Sequence, residues 1–162
     1  MQLTLESQLK MHADPLQIYE LLLKPSTLEP LSKHSIGRAF FVYQDRDPDD
    51  RAFMWKYQFA GATLTTTARL DVMKPEQELG MQLSGDITGY LRWRFFPDDD
   101  HVRVALSVDM QFPEGVIGML TSAFVKNQIE FELALMLRNL RALVETDSRV
   151  SQPSAEVLEQ ES

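Results

Sequence analysis

The chain has 162 residues, with 24 acidic and 16 basic side chains, a formal net charge of −8 and no cysteine. Its length suits a single domain, which at this size buries roughly 68–70% of its unfolded surface without disulfide or metal staples. The lack of cysteine excludes disulfide scaffolds, thiolate metal sites and thiol nucleophiles. The acidic balance argues against nucleic acid as a partner, since phosphate binding needs clustered Lys and Arg.

The opening residues lack a basic stretch followed by an apolar one, and no apolar run approaches the ~20 residues that span a bilayer. The expectation is a cytoplasmic protein without an integral membrane segment. Residues 3–11 alternate, with Leu3, Leu5, Ser7, Leu9 and Met11 on one face and Thr4, Glu6, Gln8 and Lys10 on the other. Period two predicts a half-buried strand. Asp14-Pro15 then reads as a helix start, with Asp14 as cap and Pro15 in the first turn. That helix carries Leu16, Ile18, Tyr19, Leu22 and Leu23 and stops before Pro25. Ser26 and Glu29 form a second capping box that opens a very short helix before Pro30.

From residue 35 the pattern returns to strands. Segment 36–44 is one. Segment 51–60 sets Phe53, Trp55, Tyr57 and Phe59 on one face. Segment 62–73 alternates Leu64, Thr66, Ala68, Leu70 and Val72 with polar neighbours, and Lys74-Pro75-Glu76 breaks it. Leu79, Met81 and Leu83 follow, then the turn Ser84-Gly85-Asp86. Segment 87–96 sets Leu91, Trp93 and Phe95 against Tyr90, Arg92 and Arg94, and segment 102–112 alternates from Val102 to Phe112. Consecutive strands with short turns predict an antiparallel meander. From Val116 to Val144 apolar residues recur at helical spacing, in one series through Leu120, Phe124, Phe131 and Leu135 and another through Leu133, Leu137, Leu140 and Val144. One domain over 1–146 is expected, followed by a disordered polar tail, 147–162. From Glu145 onward the chain carries five acids and one base.

The order of elements is one strand, two short helices, six strands and one long helix. Only that helix is large enough to cover the apolar face of such a sheet. The segment ADPLQIYELLLKPSTLEPL, residues 13–31, resembles the first helix pair of the START / polyketide-cyclase superfamily (SRPBCC). The segment GVIGMLTSAFVKNQIEFELALMLRNLRALVE, residues 115–145, is similar to that superfamily's long terminal helix, opening on Gly and ending in a Leu-x-x-Leu rhythm. The resemblance covers residues 2–146 in order and spacing. It implies an α+β helix-grip fold, with a curved seven-stranded antiparallel sheet wrapped around the C-terminal helix and two short helices between the first two strands. The superfamily hosts lipid carriers, hormone sensors, cyclases, aromatases and chaperone regulators, so fold alone does not name a function.

No Gly-x-Ser-x-Gly elbow, phosphate loop or His-Glu-x-x-His is present. His12, His34 and His101 are scattered, so no metal site and no cofactor is expected. His101, beside the Asp98–Asp100 turn, reads as a solvated loop residue, whereas His34 stands where family members border the cavity mouth. Arg69, Arg92 and Arg94 fall on outward strand faces as partners for Asp71 and Asp109. A register slip would instead turn Tyr90 and Arg92 inward. The aromatic set is the strongest constellation, because a pocket with such walls takes flat or greasy molecules.

The leading expectation is therefore binding of a small hydrophobic or amphipathic ligand, such as a lipid or polyketide, in an internal cavity. Its lining would be Phe53, Trp55, Tyr57, Phe59, Leu64, Met81, Leu91, Trp93, Met110, Leu120, Phe124 and Asn127. Asn127, three residues after Phe124, would offer the ligand an inward amide. An alternative is a polyketide cyclase- or aromatase-like enzyme, in which Asn127, a buried Glu130, Tyr57 or His34 moves protons. A third is a protein-interaction module using the acidic turns Asp45–Asp50 and Asp98–Asp100 with Glu76 and Glu78.

Overall fold

Alternation is realised from the first element. The computed structural model describes residues 1–24, 40–44, 52–59, 62–114 and 122–151. Strand β1 (Gln2–Met11) buries Leu3 and Met11 and exposes Thr4, Glu6, Gln8 and Lys10. Helix α1 (Pro15–Leu22) starts where the capping residues predict. The Asp14 carboxylate accepts from the Leu16 N–H at 3.1 Å, Pro15 needs no donor in the first turn, and Ile18, Tyr19 and Leu22 are buried. The second short helix expected at 26–30 lies outside the described residues.

The strands that follow are β2 (Phe40–Gln44), β3 (Ala52–Phe59), β4 (Ala62–Lys74), β5 (Glu78–Gly85), β6 (Thr88–Asp98) and β7 (His101–Gln111). They join β1 in one antiparallel sheet of order β1-β7-β6-β5-β4-β3-β2. β1 and β2 are consecutive strands in sequence but occupy opposite edges of the sheet. The β6–β7 ladder is unbroken from Thr88↔Gln111 to Asp98↔His101. The register shift lies in β4, between Leu70 and Val72. Two glycines permit close approach. Gly89 has φ +134°, and a Cβ there would run into the Asp109 carbonyl of β7. At Gly80 a Cβ would meet the Tyr90 hydroxyl, which lies across that strand.

Helix α2 (Ser122–Ser151) packs along β1 and, to a smaller extent, β7. It continues to Ser151, past residue 146, where the sequence pattern places the start of a disordered tail. Nothing in the sequence breaks it before Pro153, and proline disfavours helical geometry in the residue before it. Residues 152–162 lie outside the described residues. One apolar cluster joins β1, α1, the inward positions of β4–β7 and the buried stripe of α2. The arrangement is an α+β fold of the helix-grip type.

Candidate functional site

Helix α2 decides which polar groups enter the interior. At about 100° per residue, Val125, Ile129, Leu133, Met136, Leu137, Leu140 and Val144 form one stripe, and all are buried. The second apolar series points away from it, with Phe124 50% and Phe131 39% exposed. This corrects the expectation for Phe124 as a pocket residue. It corrects Asn127 too, which shares that outer side and is exposed. Both series have helical spacing, and the sheet can cover only one of them. Glu130 is likewise exposed. The buried acid is Glu132, 4% exposed, placed among Ile129, Leu133 and Met136. Gln128, one turn earlier, donates from Nε2 to Glu132 Oε1 at 3.3 Å. The signal was present in the sequence, since Glu132 stands three residues after Ile129 and four before Met136. It becomes readable only once the right stripe is known.

The sheet contributes further buried residues to this interior. Leu64, Met81, Leu91, Trp93 and Met110 are buried members of the same cluster. Cross-strand register sets Met81 beside Leu91, and Trp93 between Leu79 and Leu106. Phe53, Trp55, Tyr57 and Phe59 hold backbone positions opposite Ala68, Thr66, Leu64 and Ala62. Their side chains lie outside what the structure describes, and Leu120 and His34 lie outside the described residues altogether. Thr66 is the other buried polar side chain. Its Oγ1 lies 3.0 Å from the Ser84 carbonyl and 2.7 Å from that of Ile87, so main-chain oxygens take up its proton. Thr66 thus ties β4 to the β5–β6 turn, and among the described residues Glu132 is the remaining buried polar side chain.

The outer face of the sheet is built differently. Arg92 pairs with Glu78 and Arg94 with Glu6, each at 2.7 Å. The expected partner Asp109 instead accepts from Gln2 and Thr4, because the β1–β7 register sets Thr4 opposite Asp109. With no irregularity in the β5–β6 register, Tyr90 and Arg92 stay outside, and the inward-slip alternative does not occur. Partial burial raises the Tyr90 phenol above its ordinary value. The Asp71 charge and hydrogen bond add to that rise, and Arg92 opposes it.

No protein-family model matches the chain, and no curated protein matches its sequence. Solved structures do match. A protein from Thermus thermophilus superposes with a TM-score of 0.73 at 17% identity, over 90% of this chain and 99% of that one. The Zhui aromatase/cyclase from a Streptomyces species gives 0.69 at 14% identity, over 94% and 99%. A START superfamily protein from Mycobacterium smegmatis gives 0.65 at 13% identity, over 88% and 97%. The fold is START-like. Among the described residues of α2, Glu132 is the buried polar side chain, and Gln128 is its partner. No described helix is long and apolar enough to cross a membrane.

Proposed function

We propose that the chain binds a small hydrophobic or amphipathic molecule, of the lipid or polyketide kind, between the apolar face of the sheet and α2. The observation that carries this reading is the buried Glu132 with its Gln128 partner. A carboxylate is costly to bury in an apolar interior, and this one is held there with an amide partner, Gln128. Set beside the buried Ile129, Leu133 and Met136, it would offer one polar handle to a ligand whose remaining surface is greasy, the usual composition of small-molecule sites. The strand order supports the placement. α2 packs at the β1–β7 edge, and β3 lies toward the other edge of the same sheet, where its aromatic residues would complete the pocket. Affinity would come from apolar burial at about 25 cal/mol per Å², and Glu132 would orient a hydroxyl or amine.

A second reading, an aromatase- or cyclase-like enzyme, is favoured by the same buried carboxylate, which would act as acid or base on a substrate folded by the pocket. A fluorescent fatty-acid probe tests the binding reading. Saturable uptake of one probe per chain is expected, with Trp55→Ala removing it while the circular dichroism spectrum is unchanged. Absence of saturable uptake by the wild type, or undiminished affinity in a folded Trp55→Ala variant, would sink the proposal.

A further inference from the structure

The end of the sheet that carries the β6–β7 turn brings together residues far apart in sequence. The β1–β7 ladder closes on Met11↔Val102, so His12 and His101 are the next residues across from each other, just past the last pair. Their rings lie at a centroid distance of 4.9 Å, tilted by 54° to each other. Asp100, the last residue of the turn, reaches back so that its carboxylate touches His101 Nδ1. One potential ligand atom from each of His12, Asp100 and His101 lies within 4.8 Å of the other two. A second carboxylate is at hand, because Glu145, near the C-terminal end of α2, accepts from the His12 main-chain N–H at 3.2 Å. His12 and Asp100 are exposed and His101 is half-buried, so an ion from solution can reach all three.

We propose that His12, His101 and Asp100 form a binding site for a divalent transition-metal ion of the zinc type. The donor set selects the class. Two imidazole nitrogens and a carboxylate suit zinc and its borderline neighbours, whereas calcium and magnesium prefer oxygen donors throughout. Zinc bound at ~2.0–2.1 Å from each donor sets the donors on the order of 3.3 Å apart. The side chains therefore need only small rotations, which exposed rotamers supply. The surroundings favour a cation, since Asp98, Asp99 and Asp100 form the adjoining turn. The bound ion ties the C-terminal end of β1 to the start of β7, and Glu145 carries that tie to α2.

The test uses the tag-free full chain, stripped with a chelator and titrated calorimetrically with Zn²⁺. One ion per chain is expected, with little or no heat from Ca²⁺ or Mg²⁺. His12→Ala and His101→Ala should each weaken binding by about tenfold or more, while far-UV circular dichroism verifies the fold. Zn²⁺ should also raise the wild-type Tm, because it binds the native state alone. A measurement needing no variant is paramagnetic Co²⁺, which should broaden the ring signals of His12 and His101 in the wild type. Absence of Zn²⁺ heat, equal affinity in the folded double variant, or unbroadened His12 and His101 signals would each overturn the proposal.

Discussion

Strand β6 shows the two faces of this molecule side by side. Its inward residues Leu91, Trp93 and Phe95 are 2%, 1% and 4% exposed. Its outward residues Tyr90, Arg92 and Arg94 pair with charged neighbours on β1, β4 and β5. Both sets come from one alternating stretch, and both fill their face with contacts. They differ in what those contacts are worth. An inward side chain removes its whole apolar surface from water, and nothing replaces it when it is cut away. An outward ion pair exchanges hydration for a partner and nets little, because water competes for both charges. The inward face therefore holds the fold together, and the outward face tunes it.

That contrast can be broken in order of size. Trp93→Ala should cost about 3–5 kcal/mol, read from denaturant midpoints, since the cavity would open between Leu79 and Leu106. A loss below about 1 kcal/mol would mean that the interior collapses freely around the site. The next effect belongs to Tyr90. Its folded proton affinity is raised above the ordinary value of 10.0, mainly by partial burial and then by Asp71. The native state thus keeps a proton that the unfolded state gives up above its ordinary value. The resulting stability is full below that value and is lost as pH climbs through the higher folded value. Tyr90→Phe should therefore flatten the alkaline fall in Tm, and an identical alkaline profile would refute the assignment. Smallest is Arg94→Ala. Its side chain is 38% exposed and that of its partner Glu6 is 40%, so roughly 0–1 kcal/mol is expected, and less in high salt. A loss comparable with that of Trp93→Ala would show that the outer face is as structural as the inner one.

The same two faces explain how much of the site is legible in the sequence. Inward positions on the strands are readable because period two leaves only two choices, and polar neighbours mark one of them. Met81, Leu91, Trp93 and Met110 fall inside on that basis, and all are buried. The helix is less legible. Phe124, Phe131 and Leu135 compete with Val125, Ile129 and Leu133 as apolar series of the same spacing, so the pattern puts Phe124 and Asn127 on the wrong side and hides Glu132. Parity resolves a strand with one bit of information, whereas a helix with two apolar stripes needs its partner to choose between them. Arg92 and Arg94 are legible in direction but not in pairing, because partners on other strands depend on register.

By itself the sequence determined the alternation of the strands, the cap and start of α1, the order of the described elements and the resemblance of that order to a helix-grip fold. These follow from local chemistry: side-chain period, proline geometry and a capping carboxylate act over a few residues. The tertiary structure decided which stripe of α2 is buried, which acid enters the interior, and that His12 and His101 stand side by side. Those outcomes depend on strand register and helix seating, which join residues that no local pattern connects.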